Sequence, residues 1–392
     1  MKKLAIITTH PIQYNAPFFE LLTTRGLIDI KVFYTWGETV LNNKFDPGFG
    51  KVIDWDIPLL HGYKYTFLEN VSNDKGSHHF NGIKNPNLIK EIENYEPDAV
   101  LFYGWSFQSH LKAMRYFKGK IPVFFRGDSH LLTHVGLLNK IKRKLFLTLV
   151  YRNIDVAFYV GKNNYNYYKN AFVPSGKLIF APHSVDNKRF ECNETECKNA
   201  AKELKNKMGI ADGDCVFLFA GKLEPTKNPE ILIEVFNSIK IKNWILLIVG
   251  NGELEEKLKL MASENNNIKF LDFQNQKMMP ALYEISDVFV LPSIGETWGL
   301  AVNEAMANGT AIIVSDKCGC AKDLVLEGKN GFTFLSSNAK DLKQKVLMVK
   351  EIDLKNAKEE SKKIISNYKM NIYANAVEHA MMDLPLTKKR IK

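Results

Sequence analysis

The sequence predicts an α/β protein with two domains, each built around a parallel sheet. The chain has 392 residues, of which 45% are hydrophobic, and this is enough apolar material for two or three domain cores. Short apolar runs rich in Val, Ile and Phe alternate with helix-length stretches along nearly the whole chain, which is typical of βαβ units. This composition excludes disordered, collagenous and coiled-coil proteins.

The predicted strands fall into two series with a polar segment between them. The first series comprises Leu4–Thr9, Asp29–Tyr34, Ala99–Tyr103, Pro122–Phe125, Val156–Val160 and Leu178–Ala181. The second comprises Cys215–Ala220, Trp244–Val249, Ile268–Leu271, Val288–Leu291 and Ala311–Val314. We expect domains at residues 1–185 and 186–365. Residues 366–392 are expected to form a helix that returns to the first domain, followed by a basic tail.

Basic residues are concentrated in the first half of the chain. Residues 1–185 carry 23 basic and 14 acidic side chains, whereas the remainder carries 30 and 29. This surplus indicates either an anionic partner or a solvated basic face. The segment 137–152 places Lys and Arg among Leu and Phe at helical spacing, which fits an anionic membrane surface or an ordinary surface helix equally well. No nucleic acid is expected, because no recognisable binding module is present.

The cysteines and the amino terminus suggest a compartment. Five cysteines, an odd number without zinc-type spacing, are typical of a reducing cytoplasm. The opening apolar run is interrupted by Thr8, Thr9, His10 and Pro11 before it reaches signal-peptide length. No apolar stretch approaches the roughly 20 residues of a membrane helix. We expect a cytoplasmic protein whose contact with a membrane, if present, is peripheral on the inner face of the cytoplasmic membrane.

The segment Leu291–Asp316 is typical of a strand, a loop, a helix and a second strand. Glu296 lies in the loop, and Glu304 lies in the helix that begins at Gly299 and Leu300. Free amide groups at a helix start favour phosphate, and a carboxylate further along can accept both hydroxyls of a ribose. Taken alone, two such glutamates are more often solvated helix carboxylates.

A second charged loop follows the strand that ends at Ala220. It holds Gly221, Lys222 and Lys227, and the two ammonium groups can converge on a diphosphate. Each such contact near 4 Å is worth on the order of 4 kcal/mol at an effective dielectric constant of 20. Two surface lysines are the ordinary alternative.

Together these segments resemble glycosyltransferase family 4, retaining enzymes of GT-B architecture with two Rossmann-like domains facing a cleft. The E-x(7)-E signature of that family corresponds to Glu296 and Glu304, within an "EAMA-G" context that ends at Gly309. Lys222 and Lys227 stand where the family has a basic pair, although its first position is usually Arg. The resemblance implies donor contacts from Lys222, Lys227, Gly252, Glu296, Gly299, Leu300 and Glu304. It also implies catalytic roles for Lys227 and Glu296.

By the same resemblance, the first domain lies on the acceptor side. His10 and Gln13 follow the first strand, and they either touch the reacting centre or order the turn before a helix near Ala16. Many relatives carry a histidine beside the anomeric carbon where this chain has Arg126. We expect Arg126 to stabilise phosphate and Asp128 to orient or deprotonate an acceptor hydroxyl, with loop salt bridges as the alternative.

Metal dependence is not expected from the sequence. The D-x-D patterns at Asp54–Asp56 and Asp212–Asp214 lack a nucleotide-binding context. His130 and His134 lack a zinc signature, so they are expected to be loop or core histidines, and His130 is retained as an acceptor-side candidate. We predict no metal ligand and no cofactor apart from the nucleotide diphosphate sugar as donor substrate.

The resemblance implies a metal-independent hexosyltransferase that retains the anomeric configuration. Its acceptor would be a glycan or a lipid-linked sugar, in bacterial cell-surface polysaccharide, lipopolysaccharide or glycoconjugate synthesis. Two alternatives remain open from the sequence. A nucleotide-sugar epimerase of similar architecture would convert the donor alone, and a non-catalytic envelope protein would bind glycan or lipid phosphate without turnover.

Overall fold

The computed structural model describes residues 1–38, 45–46, 48–133 and 136–384, which form two compact units. The first unit comprises the described residues within Met1–Lys44, Pro58–His183 and Met370–Lys392. The second comprises those within Phe45–Ile57 and Ser184–Lys369. His134 and the predicted basic tail beyond residue 384 lie outside the described residues.

The first part of the chain alternates strands and helices. Its strands are β1 (Lys3–Thr8), β2 (Asp29–Tyr34), β3 (Phe45–Asp46), β4 (Lys51–Val52), β5 (Lys64–Phe67), β6 (Ala99–Tyr103), β7 (Val123–Arg126), β8 (Val156–Tyr159) and β9 (Leu178–Phe180). Its helices are α1 (Ala16–Arg25), α2 (Leu88–Tyr95), α3 (Gln108–Phe117), α4 (Leu137–Tyr151) and α5 (Lys162–Asn170). Seven of these strands form one parallel sheet in the order β5-β2-β1-β6-β7-β8-β9. Strands β3 and β4 pair separately as an antiparallel hairpin within the second unit.

The six strands predicted for the first sheet are confirmed to within one residue at their ends. They were recognisable because a parallel sheet covered on both faces requires continuous apolar runs. Strand β5 was not predicted. It lies at the edge of the sheet, where Lys64 and Tyr65 are exposed, so its sequence lacks such a run.

The second unit also contains a parallel sheet, which has six strands. Its strands are β10 (Cys215–Ala220), β11 (Trp244–Val249), β12 (Ile268–Leu271), β13 (Val288–Leu291), β14 (Ala311–Ser315) and β15 (Gly331–Phe334), in the order β12-β11-β10-β13-β14-β15. Its helices are α6 (Asn187–Phe190), α7 (Thr195–Met208), α8 (Glu230–Asn237), α9 (Glu255–Met261), α10 (Met279–Glu284), α11 (Leu300–Asn308), α12 (Ala321–Leu324), α13 (Ala339–Met348) and α14 (Leu354–Ile365). The five predicted strands are confirmed, and the edge strand β15 is an addition.

The terminal helix α15 (Met370–Met382) packs in the first unit. The ring of Tyr373 stacks on Phe18 of α1 with centroids 3.8 Å apart. Arg25 donates from Nε and Nη2 to both oxygens of Glu378, at 2.7–3.1 Å, and Glu378 is buried. An apolar contact and a charged contact therefore join the two ends of this unit.

The cysteines are arranged differently from the sequence expectation. Cys192 and Cys197 form a disulfide, because the turn between α6 and α7 brings their Cα atoms to 5.5 Å. Cys215, Cys318 and Cys320 are free thiols. The cysteine pattern therefore does not by itself assign a compartment. Within the described residues, no helix has the combined length and apolar character needed to cross a bilayer.

Replacing Glu378 with Ala is expected to loosen α15. The change leaves the guanidinium of Arg25 without its carboxylate, at a cost on the order of 3 kcal/mol. Hydrogen exchange of the α15 amides should then accelerate by roughly 100-fold. Lys64→Ala is the control, because its ion pair with Asp29 lies at the surface of the same unit. Equal exchange rates in the two variants would contradict this role for Glu378.

Candidate functional site

Two loops of the second unit meet at the carboxyl end of its sheet. The amide of Ile294, after β13, donates to the carbonyl of Thr226, after β10, at 2.9 Å. The ammonium group of Lys227 donates to the carboxylate of Glu296, and both side chains are largely buried. The structure therefore brings together two predicted site residues that are 69 positions apart in the chain.

The start of α11 lies beside Glu296. Gly299, at φ +101°, precedes the helix, and a Cβ atom there would lie 2.7 Å from Leu291 and 3.4 Å from Cγ of Glu296. Glycine therefore permits both the left-handed turn and the close approach. Gly299, the N-cap residue of α11, is therefore close to Glu296, the partner of Lys227.

Glu304 lies within α11 and has only 2% of its surface exposed. The hydroxyl of Tyr283, on α10, donates to its Oε2 atom at 2.7 Å. In the same helix, the side-chain oxygen of Asn303 accepts from the indole nitrogen of Trp298 at 2.8 Å. Glu304 is thus held in one orientation, which a solvated helix carboxylate would not be.

Lys222 is paired with a residue that the sequence analysis did not associate with it. Its Nζ atom lies 2.8 Å from Oδ1 of Asp46, which also accepts from the amides of Gly48 and Phe49. The ring of Phe49 packs edge-on against Phe273, with centroids 4.8 Å apart. The segment 45–57 thereby brings a carboxylate to the predicted diphosphate loop.

The loop after β11 packs closely on the loop after β10. A Cβ atom at Gly252 would lie 2.5 Å from the carbonyl oxygen of Leu223. That carbonyl accepts from the amide of Leu254, and the amide of Leu223 donates to the carbonyl of Asn251, both at 3.0 Å. Gly252 is therefore required for the backbone contact that shapes this part of the site.

The first unit contains a cavity of about 390 Å³ at the carboxyl ends of β1, β6 and β7. Aromatic side chains form much of its lining: Tyr103, Trp105, Phe107, Phe125, Tyr151, Tyr167 and Tyr168. Its polar lining includes Thr9, Asn15, Arg126, Asp128, Ser129 and His183. In open parallel sheets, ligands bind at this edge.

Arg126 is buried at the base of this cavity. Its Nη1 and Nη2 atoms donate to the carbonyls of Ala181 and Pro182, at 2.8 and 3.0 Å. Its guanidinium lies 3.8 Å from the ring centre of Tyr373. Much of the hydrogen-bonding capacity that the sequence analysis assigned to a phosphate is therefore directed to backbone carbonyls.

Asp128 and His183 face each other in the cavity, with 3.8 Å between Oδ2 and Nε2. Burial lowers the pKa of His183 from its ordinary value, and the interaction with Asp128 opposes this shift. His183 was not among the predicted site residues. The only sequence signal for it was its place in "APHSVD", which resembles an interdomain stretch of the family.

Three acceptor-side candidates are not among the residues that line this cavity: His10, Gln13 and His130. The Nδ1 atom of His10 lies 2.9 Å from Oγ1 of Thr9, and burial lowers the pKa of His10 to about 4. Gln13 is half-buried in the same loop. His130 is buried, and its Nδ1 atom accepts from the amide of Leu132 at 3.2 Å. Their roles at the reacting centre stay predictions.

The D-x-D segment at Asp54–Asp56 accepts hydrogen bonds from residues that are far away in the chain. The carbonyl of Asp54 accepts from Asn275, and the carboxylate of Asp56 accepts from the amide of Lys277. Elsewhere in the described chain, the exposed loop carrying Asp74, His78 and His79 brings three potential ligand atoms within 4.8 Å of one another. This group is separate from both D-x-D segments.

The second unit matches a known family. Residues 200–369 match the model described as glycosyl transferases group 1. The chain is 28% identical to spore coat protein SA of Bacillus subtilis over 208 residues, which are 50% of this chain and 54% of that protein. It is 33% identical over 157 residues to UDP-Gal:alpha-D-GlcNAc-diphosphoundecaprenol alpha-1,3-galactosyltransferase of Escherichia coli, covering 38% of this chain and 39% of that protein. The matches thus span about half or less of these relatives.

The complete fold is similar to solved structures. Anabaena Alr3699/HepE in complex with UDP gives a TM-score of 0.72 at 15% identity, over 98% of this chain and 100% of that chain. Sucrose-phosphate synthase from Thermosynechococcus elongatus gives 0.71 at 15% identity, over 97% and 98%. The chain therefore has the GT-B fold, with two Rossmann-like domains.

Gly252→Ala is expected to destabilise the second unit by about 2 kcal/mol, because the new Cβ atom would press on the Leu223 carbonyl. Thermal unfolding followed by calorimetry measures this effect. Gly295→Ala is the matched control, since a Cβ atom at Gly295 meets nothing within 4 Å. Similar midpoints for both variants would show that the close approach at Gly252 is unimportant.

Proposed function

We propose that this chain moves a sugar from a nucleotide diphosphate sugar to an acceptor hydroxyl, because residues 200–369 match the model described as glycosyl transferases group 1. The contact of Lys227 with Glu296, beside the start of α11, carries this proposal. It assembles a cation, a helix amino terminus and a carboxylate in one place. These groups are suited to a diphosphate and to the hydroxyls of its attached sugar.

Each charged group of this site has a proposed role in holding the donor. Lys227 and Lys222 neutralise the diphosphate together with the opening amides of α11. Glu304, whose orientation is set by Tyr283, accepts from the ribose hydroxyls. Glu296 accepts from hydroxyls of the sugar being transferred. Lys222 reaches the diphosphate by exchanging its partner Asp46 for a phosphate oxygen.

The proposed reaction is a displacement that keeps the anomeric configuration, and retention rests on the family resemblance. The bond between the anomeric carbon and the diphosphate oxygen breaks, and the acceptor oxygen bonds to the same face of that carbon. The acceptor proton passes to the departing diphosphate oxygen. The lysines and helix amides stabilise the leaving group, so we propose that the reaction is metal-independent.

We propose that residues 1–185 bind the acceptor, through the cavity of the first unit. The Escherichia coli relative is named for a sugar acceptor attached to diphosphoundecaprenol. The exposed apolar side chains of α4 favour a lipid-linked acceptor here as well. We therefore place this chain in the synthesis of bacterial cell-surface polysaccharide, lipopolysaccharide or a related glycoconjugate.

Helix α4 is the proposed membrane contact. Leu137, Ile141, Leu145 and Leu149 repeat at every fourth position and are 49–74% exposed. Basic residues flank this apolar stripe: Lys140, Lys142, Arg143 and Lys144. Such a helix inserts its apolar side shallowly while its cations meet anionic headgroups. This arrangement supports a peripheral contact with an anionic membrane surface, and we propose that the protein is cytoplasmic and that this surface is the inner face of the cytoplasmic membrane.

The acceptor cavity and the proposed membrane contact are adjacent. Phe146 of α4 packs against Trp105 with ring centroids 5.3 Å apart, and Trp105 lines the cavity. Tyr151, the last residue of α4, lines it as well. A lipid-linked sugar could therefore place its apolar chain along α4 and its head group in the cavity.

Substitutions at Lys227 and Glu304 test the donor site. Lys227→Ala should lower turnover by roughly 100-fold or more through lost stabilisation of the leaving group. Glu304→Gln preserves the volume of this buried side chain and should weaken UDP or GDP binding by about tenfold. Calorimetric titration and donor-consumption assays measure these effects. Lys257→Ala, at an exposed ion pair, is the control.

Unchanged nucleotide binding and turnover in the Lys227 and Glu304 variants would refute the assigned site. Conversion of a donor sugar to its epimer without an acceptor would favour the epimerase alternative. Nucleotide-independent glycan binding without turnover would favour the binding-protein alternative.

Glutamate substitutions on α4 test the membrane contact. The double variant Ile141→Glu, Leu145→Glu should bind phosphatidylglycerol-containing vesicles at least about tenfold more weakly, because it removes apolar area and adds negative charge. Nucleotide binding should be unaffected. Leu260→Glu is the control at an exposed position of the second unit. If the native protein, the double variant and the Leu260→Glu control bind vesicles equally in a sedimentation assay, α4 is ruled out as the membrane contact.

A further inference from the structure

Two residues from different loops contribute titratable side chains to the lining of the cavity in the first unit. Asp128 lies two positions beyond the end of β7, and His183 lies three positions beyond the end of β9. Their side chains face each other across 3.8 Å, with Asp128 40% exposed and His183 19% exposed. Asp128 is thus the more accessible of the two side chains.

The position of His183 follows from the contacts of Arg126. The guanidinium donates to the carbonyls of Ala181 and Pro182, the two residues that immediately precede His183. Its guanidinium also lies against the face of Tyr373, from the terminal helix. Arg126 therefore holds the backbone that carries His183, while its own position is set by a ring from the opposite end of the chain.

The protonation state of His183 suits it to orient a carboxylate. Burial lowers the pKa of its imidazole, so the ring is neutral near pH 7. A neutral imidazole with its proton on Nε2 donates one hydrogen bond to Asp128 and leaves the carboxylate charged. A carboxylate offers several lone pairs, so Asp128 can accept a further hydrogen bond from a ligand in the cavity. The distance between Nε2 of His183 and Oδ2 of Asp128, 3.8 Å here, can shorten to a hydrogen bond when a substrate binds.

We propose that His183 is a positioning residue for Asp128, and that this pair binds a hydroxyl of an acceptor sugar. The ring of that sugar packs against Trp105, one of the aromatic residues that line the cavity. Resting on the proposed function, this inference gives the acceptor a chemical class, a pyranose with a free hydroxyl. Asp128 accepts a hydrogen bond from that hydroxyl and orients its oxygen. The proton itself leaves with the diphosphate, as proposed above. Arg126 acts through the backbone rather than on a phosphate.

The combination of aromatic and titratable lining residues favours a sugar as the occupant of the cavity. An aromatic face packs against the apolar face of a pyranose ring, while a charged carboxylate requires a donor such as a hydroxyl. A hydrocarbon chain alone would take the exposed part of the Asp128 carboxylate out of water without adding a hydrogen bond to it, at a desolvation cost. The cavity volume of about 390 Å³ is within the usual range for small-ligand sites.

Binding of simple alkyl glycosides to the full-length protein tests this inference without a known acceptor. Octyl glucoside, octyl galactoside and octyl mannoside are titrated calorimetrically below their micelle-forming concentrations, with octanol as a probe that lacks the sugar. At least one glycoside should bind. His183→Ala and Asp128→Asn should weaken that binding by roughly tenfold, because each removes a charge-assisted hydrogen bond or its alignment.

His183→Gln is the rescue variant, because its side-chain amide can donate from near the Nε2 position. It should bind the glycoside within about threefold of the native protein, a recovery that a merely structural role would not produce. His61→Ala is the control for a histidine whose carboxylate partner lies at the surface. Octanol binding and UDP binding should be unchanged in all of these variants.

Three results would overturn the inference: no glycoside binding by the native protein, equal glycoside binding after His183→Ala, or failure of His183→Gln to recover it. The proposed function is judged separately by UDP binding in the same titrations. If UDP does not bind but glycoside binding depends on His183, the donor assignment fails while the sugar site stands. If UDP binds and glycosides do not, only the present inference fails.

Discussion

The direction of the parallel strands is the constraint on which both candidate sites depend. In each sheet all strands end at the same edge, so loops that are far apart in the chain are brought to one place. Lys227 follows β10 and Glu296 follows β13, and these strands are neighbours in the second sheet. In the first sheet, Asp128 and His183 follow β7 and β9, with β8 between them. The chemistry of each unit is therefore a consequence of strand order.

The charged side chains of these sites already have partners in the described structure. Lys222 lies against Asp46, Lys227 against Glu296, and Arg126 against two carbonyls and an aromatic ring. A ligand that binds there replaces an existing partner, so its affinity is a difference between two sets of contacts. The segment 45–57 therefore affects the proposed donor site through Asp46. This segment belongs to the second unit, although the chain before and after it belongs to the first unit.

The terminal helix has a structural role in the first unit that extends to its cavity. Tyr373 stacks on Phe18, its hydroxyl lies 2.5 Å from that of Tyr103, and its ring covers Arg126. Through Arg126 it supports the loop that carries His183. The end of the chain is thus connected to the proposed acceptor side, and a change in α15 would be transmitted there by packing and hydrogen bonds.

The sequence by itself determined the strand positions and the motif-bearing loops of the second unit. Buried parallel strands are apolar runs, and the segment from Glu296 to Glu304 lies within one strand, loop and helix, so local patterns were sufficient. Only the tertiary structure decided that residues 45–57 pack with the second unit, that Arg126 bonds to Ala181 and Pro182, and that His183 faces Asp128. These pairings join residues of different loops. No periodic pattern marks them, because they arise only when the sheets have assembled and long-range packing has chosen the partner of each polar group.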